Sequence, residues 1–366
     1  MGDLTLGLGL ASDVLVLILV IEIGLILPQL VALFVRSRWR EQREAAAAWF
    51  WDTRSPTLLQ SLSDAKRRAA WLAQARKDDP RVARDALLQF LVATSGSYRE
   101  RLADVYRDLG LLELDLRDAR SFWLSTRLRA LRRLTLVASV AERDAVVQLR
   151  ERSWTERVLV AQILGRIGRA EDVAARLHAW SSQTRLHEHT IRMVVASMSL
   201  SEFRRLLERW TEFRSPSVRR DLIALGAVRA PGVLEDLLPI VVTDAEVEVR
   251  IGACQALVHL PRAVASARLA HLCADPAWEV RAQAVKAVGR LEDTSMCDTL
   301  ERALADSAFW VRQNAAAALA RLGDSGHAAL ERTAEGSQDR FARDAAGAEL
   351  ARIRVLASAG RAEAAA

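Results

Sequence analysis

Proline and glycine are scarce in this chain, at 8 and 17 of 366 residues, while Ala, Leu and Arg dominate. That composition argues against a turn-rich sheet fold and suits helices. Cysteine is confined to Cys254, Cys273 and Cys297, an odd number with no C-x-x-C pair, which fits a reducing compartment. Lysine occurs only at Lys66, Lys77 and Lys286, so nearly all the positive charge is arginine. Aromatics make up 5%, with 10 Trp against 2 Tyr. Reactive motifs are also missing: there is no G-x-x-x-x-G-K-[ST] phosphate loop, no G-x-S-x-G elbow and no H-E-x-x-H. His187, Glu188 and His189, with His178 nearby, form the one imidazole cluster, but helical residues two apart point to different sides. No metal site, catalytic residue or cofactor is therefore expected. Gly165-x-x-Gly168 reads as the end of a helix and not as a nucleic-acid loop.

What the chain does have is a repeat. Val-Arg falls at Val218-Arg219, Val249-Arg250, Val280-Arg281 and Val311-Arg312, each 31 residues after the last. A fixed period between about 20 and 50 residues marks stacked units. Asp244, Asp275 and Asp306 stand six residues before Arg250, Arg281 and Arg312, and Pro276 follows Asp275, which reads as a helix N-cap followed by the first helical residue. Small residues recur at Ala253, Ala284 and Ala315, where helices approach closely, and Leu257, Val288 and Leu319 close the apolar face. A second amphipathic run precedes each Asp, so one unit is two helices with a capped turn between them. The pattern is regular over 215–355 and worn over 63–214, where Asp79-Pro80, Arg127 and Arg157 are its echoes; an Ala-rich tail fills 356–366.

Residues 14–35, VLVLILVIEIGLILPQLVALFV, are nearly continuous apolar sequence. At about 1.5 Å per residue they reach roughly 33 Å, enough to cross a hydrocarbon core of about 30 Å. Residues 1–13 carry only acids, Asp3 and Asp13, so the segment reads as a retained transmembrane helix and not as a cleaved signal. Arg36, Arg38, Arg40 and Arg43 follow at once, which places the short tail outside and the rest on the cytoplasmic side of an inner membrane. Glu22, with Gln29 seven residues on and Gly24 and Pro28 beside them, reads as a polar seam docking on an integral membrane protein. In the juxtamembrane segment 36–62, Trp39, Trp49 and Trp51 among Arg36, Arg38 and Arg40 read as interfacial anchors; the alternative is that 49–51 begin the soluble core. Residues 36–220 carry a net charge of +13 and 221–366 carry −4, so the basic part lies next to the membrane and anionic lipid headgroups are expected partners.

The 31-residue units resemble HEAT repeats, in particular the short kind of phycobilisome-lyase-type proteins. The resemblance is strong over 218–350 and weaker elsewhere. It implies an all-α chain: one transmembrane helix, then a right-handed α-solenoid whose second helices line a concave face that holds other proteins. It also implies that Asp244, Asp275, Asp306 and Arg250, Arg281, Arg312 form a structural ladder between neighbours. On the aligned second helices, positions three, six and ten after the Val place Gly252, Gln283, Asn314, then Gln255, Lys286, Ala317, then His259, Arg290, Arg321 on one polar strip, the expected binding face. Trp278, Phe309 and Trp310 sit beside the capped turns, where packing between repeats is expected ahead of partner binding. The function expected is a membrane-anchored scaffold, by analogy beside envelope polysaccharide machinery. The alternatives are an enzyme resembling bilin lyases or HEAT-like alkylpurine DNA glycosylases, and a nucleic-acid binder using 36–220.

Overall fold

The computed structural model describes residues 24–364 except 25, 32, 36, 39, 40, 43, 47, 51, 59, 63 and 182–187. The described residues from 24 to 61 are helical, and in their first part Ile26, Leu27, Leu30, Val31, Leu33 and Phe34 lie exposed. The first part of the apolar run at 14–35 falls outside the described residues. Among the described residues, no helix is long and apolar enough to cross a membrane. The chain divides into two compact units, Met1–Ala138 and Ser139–Ala366.

The first unit contains α1 (Ala65–Ala75), α2 (Pro80–Ala93), α3 (Gly96–Asp108), α4 (Leu111–Asp118) and α5 (Leu124–Val137). Asp79 caps α2 by accepting the Arg81 amide, and Pro80 opens the helix, as the sequence implies. Leu58, Leu87, Leu91, Leu102, Val105 and Leu134 are fully buried between the helices. One charged group shares that interior. Asp115 has no exposed side-chain area and accepts from Arg84 at 3.2 Å and Arg133 at 2.7 Å, with the Tyr106 hydroxyl also donating to it. Burial pushes the Asp115 carboxyl up, against the pull of those donors. Such a cluster costs desolvation and is tolerated because each carboxylate oxygen is hydrogen-bonded.

The second unit is a two-layer array. One layer consists of α7 (Trp154–Ile167), α9 (Glu188–Ser197), α11 (Pro216–Arg229), α13 (Val247–Leu257), α15 (Trp278–Leu291), α17 (Phe309–Arg321) and α19 (Arg340–Ala364), each packed on the next; the short α6 (Arg143–Val147) precedes it and packs on α7. The other holds α8 (Ala170–Ser181), α10 (Leu200–Glu208), α12 (Pro231–Val241), α14 (Arg262–Leu272), α16 (Cys297–Ala303) and α18 (Asp324–Gly336). Val218, Val249, Val280, Val311 and Ala342 are buried at equivalent places, which explains why this slot repeats as a small apolar residue. The first layer is tight enough to require glycine. A Cβ on Gly252 would lie 2.9 Å from the Arg220 carbonyl oxygen, and one on Gly289 would lie 2.6 Å from the Ala318 Cβ. One hydrophobic core runs from Ala161 to Ala346 without a break at 215, where the regular sequence begins.

The capped turns differ from the sequence reading. Helix α15 starts at Trp278 with Ala277 as N-cap, so Asp275-Pro276 lies ahead of the helix. The Asp275 side chain accepts the Ala277 amide at 2.9 Å, and Asp244 and Asp306 accept the Glu246 and Ala308 amides in the same way. Each is an Asx turn that leads into the helix. The displacement has a cause: two residues earlier, the carboxylate can face the arginine of the preceding repeat.

Candidate protein-docking face

The ladder is built from those turns. Arg250 grips Asp275 through Nε at 2.7 Å and Nη2 at 2.9 Å, and Arg281 grips Asp306 at 2.7 and 2.8 Å. The third nitrogen of each closes its own turn: Arg250 Nη1 donates to the Asp244 and Ala245 carbonyls at 2.7 and 3.2 Å, and Arg281 Nη1 to those of Asp275 and Pro276 at 2.9 and 3.1 Å. Arg219 reaches Asp244 at 3.4 Å, so the ladder begins one repeat earlier. It ends at Arg312, which keeps the turn contacts to Asp306 and Ser307, because Ser337 occupies the sequence position of the next aspartate. Its guanidinium lies over the Phe341 ring instead, 5.0 Å from the centroid. Burial pushes the Asp275 and Asp306 carboxyls up, but hydrogen bonds from the paired arginine and the turn amide outweigh it, leaving both below the ordinary range. These residues are structural parts of the array.

The polar strip separates into two. Gln255, His259, Lys286, Arg290 and Arg321 are exposed, as are Ala317 and the next residue in the last row, Arg352. Gly252 is buried, while Gln283 and Asn314 are half-buried, and Asn314 Nδ2 donates to the Ala282 carbonyl of the preceding repeat at 3.0 Å. Position three after the Val therefore belongs to the seam between helices. Positions six and ten form the open ridge, which is basic at its far end.

A second row lies at the other end of the same helices. Trp278 is 42% exposed, Phe309 54%, Trp310 59% and Phe341 50%. Packing between repeats does not account for that exposure. Phe309 and Trp310 meet edge to face at 5.3 Å, and Arg312 and Arg340 lie over Phe341. Aromatic side chains interleaved with arginine on a rigid array are the side chains that carry most energy in protein interfaces. Spacing places these rings beside the turns but does not give their exposure, because it does not say how far a ring turns inward; Phe341 also meets Arg312 of the preceding repeat.

Of the N-terminal residues, Gly24, Pro28 and Gln29 are helical and exposed, with nothing within 4 Å of a Cβ on Gly24. Glu22, Arg36, Trp39, Arg40 and Trp51 lie outside the described residues. Arg38 is exposed beside Glu41 at 3.6 Å. Trp49 is 50% exposed under the Arg54 guanidinium, whereas its neighbour Phe50 is fully buried against Trp71. The segment therefore starts the core with one ring and leaves the adjacent one outside. His178 directs its ring nitrogens at the Ala174 and Glu212 carbonyls, at 2.8 and 3.0 Å, and stacks on Phe213. Burial pushes the Cys273 thiol up to about 12 and the Cys254 thiol higher still, so neither is a thiolate at neutral pH. Gly165 is a contact and not a loop, because a Cβ there would lie 2.9 Å from the Val194 carbonyl oxygen, and Gly168 caps α7.

No curated protein matches the chain at a significant level. Among solved structures, 63 chains match, including a crystal structure of an engineered protein from the Northeast Structural Genomics Consortium. That match has a TM-score of 0.34 and 15% identity and covers 86% of this chain and 95% of the other. The family model for HEAT repeats matches residues 265–351. The segment that carries Asp275, Arg281, Asp306, Arg312 and the aromatic row is thus similar to HEAT repeats.

Proposed function

We propose that this protein is a membrane-tethered scaffold that binds a protein partner along the aromatic row of its second unit. The observation that carries the reading is the exposure of Trp278, Phe309, Trp310 and Phe341 on consecutive repeats, where neighbouring turns need no large side chain. Four half-exposed rings at two adjacent positions of three successive repeats make an extended apolar surface bordered by Arg312 and Arg340, which suits an elongated partner with apolar and acidic groups. The basic ridge of Arg290, Arg321 and Arg352 extends the positive charge along the same helices. The tether rests on the apolar run 14–35, followed by arginines, with the array on the cytoplasmic side; Glu22 and Gln29 dock it on an integral membrane protein. Anionic lipid headgroups hold the basic region against the surface. No role in catalysis is assigned.

A detergent-solubilised pull-down with the full chain tests the reading. Wild type retains a defined partner, and Phe309→Ala with Trp310→Ala loses it while far-UV circular dichroism and the unfolding midpoint stay unchanged. Equal recovery by both would place the partner elsewhere. Glu22→Leu tests the tether separately, since it removes membrane partners and leaves cytoplasmic ones.

A further inference from the structure

The first unit carries a turn of the same construction as the ladder turns, with different side chains on it. Arg127, 6% exposed, donates through Nη1 to the Ser121 and Phe122 carbonyls at 3.0 and 2.6 Å, and Ser121 Oγ accepts the Trp123 amide at 3.3 Å. These are the bonds that Arg281 and Asp275 make to Asp275, Pro276 and Ala277, at the same sequence offsets. In the second unit the two residues at the tip are Ala245-Glu246, Pro276-Ala277, Ser307-Ala308 and Gln338-Asp339. Here they are Phe122-Trp123, followed by Leu124, and they are 81%, 70% and 48% exposed. The turn is held by its backbone and by a buried arginine, so the rings contribute nothing to its closure. They meet each other edge to face at 5.7 Å and project as one apolar knuckle on a fixed base.

Asp118, at the base of the turn, is paired with Arg84 and Arg133, so the unpaired charge in the sequence beside the knuckle has one sign. Residues 119–141 contain Arg120, Arg127, Arg129, Arg132 and Arg133 and no Asp or Glu. Arg120, Arg129 and Arg132 are exposed and form no ion pair among the described residues; Arg129 Nε returns to the Ser125 carbonyl at 3.3 Å, beside the knuckle. At the aromatic row Arg312 and Arg340 lie over a ring, whereas Arg120, Arg129 and Arg132 lie over none among the described residues. A bilayer with anionic headgroups uses both features, since Trp, Phe and Leu enter the interface while Arg meets phosphate. We infer that Phe122, Trp123 and Leu124 insert into an anionic phospholipid surface, with Arg120 and Arg129 on the headgroups. The contact deepens the lipid part of the reading above and does not require the N-terminal span.

The test uses the full chain, with Cys254, Cys273 and Cys297 changed to Ala and one environment-sensitive fluorophore placed at Trp123→Cys, Leu27→Cys or Glu331→Cys. Each is mixed with vesicles of phosphatidylcholine, with or without phosphatidylglycerol, containing brominated acyl chains. At 123 the emission shifts to the blue and is quenched in anionic vesicles only, the label at 331 stays solvent-like, and Arg120→Glu with Arg129→Glu abolishes quenching at 123. Quenching at 123 without quenching at 27 supports the knuckle while refuting the span. A label at 123 as unquenched as that at 331, in vesicles that quench the label at 27, overturns the inference, as does equal quenching in neutral vesicles. Shielding of 123 by a protein, without bromolipid quenching, overturns it in favour of a protein partner.

Discussion

Replacing Arg281 by Met removes a side chain that joins two repeats and closes a turn. Asp306 loses its bidentate partner at 2.7 and 2.8 Å, and the Asp275 and Pro276 carbonyls lose a shared donor. The pair is mostly out of water, with side chains 16% and 13% exposed. Breaking a buried pair from one side costs about 3 to 5 kcal/mol, and the remaining Ala308 amide and partial solvent access put this case at about 3. The molecule supplies its own control. Arg312 makes the same two turn bonds but has Ser337 at the sequence position of the next aspartate, so Arg312→Met forfeits those bonds and its contacts with the Phe309 and Phe341 rings, about 1 to 1.5 kcal/mol. Urea unfolding followed by circular dichroism gives both values. A double-mutant cycle of Arg281→Met with Asp306→Leu should show a coupling of about 2 kcal/mol. Equal losses at 281 and 312, or additive effects at 281 and 306, would refute the claim that the carboxylate pair links the repeats.

Acid should act on the same pairs. Asp172, Asp275 and Asp306 are held below the ordinary aspartate range although burial opposes this, Asp172 by Arg143 and the Arg169 amide. Their contribution is complete above the unfolded aspartate value and is lost as pH falls through the lowered folded values, so from about pH 5 to about pH 2 the urea midpoint of wild type should fall more steeply than that of Arg281→Met. Parallel curves would dissociate acid sensitivity from the ladder. Glu292 ends α15 with φ 50°, a left-handed conformation that costs a side chain about 1 kcal/mol, so Glu292→Gly should raise stability by roughly 0.5 to 1 kcal/mol. A lower unfolding midpoint would contradict that. Gly289→Val should cost about 2 to 3 kcal/mol by overpacking against Ala318, and Ala318→Gly in the same chain should recover part of it. Absence of any recovery would mean that the helices do not meet there.

The repeat could be read from the chain because the ladder needs Asp, Arg and small residues at fixed places, and few substitutions keep the two-nitrogen grip. Its extent was harder to read. The period continues back from Arg219 through residue 188 to Arg157, but Glu188 occupies the arginine slot, and the repeat at Arg127 has Ser121 where aspartate would signal it. Geometry identifies that repeat by its turn bonds. Asp275-Pro276 reads as a helix cap because Asp followed by Pro commonly is one, as the structure shows at 79–80, and only the position of Arg250 explains the difference. Asn314 reads as part of the open face because a polar side chain bonding a neighbour's carbonyl has the same letter code as a solvated one, and half-buried Gln283 shares its position. The exposed rings at 278, 309, 310 and 341 follow from which side of each helix the array leaves open, which depends on how all the repeats stack.

The aromatic row is proposed as a protein-binding surface on a membrane-held array. Its most direct test is site-specific photo-crosslinking in cells, with a photoreactive phenylalanine at position 310 in one full-length chain and at the exposed second-layer position 331 in another, followed by alkaline extraction of membranes. One discrete protein adduct is expected from 310 and none from 331, with the adduct in the extracted membrane fraction. No adduct at 310, or the same diffuse adducts from both positions, would contradict it.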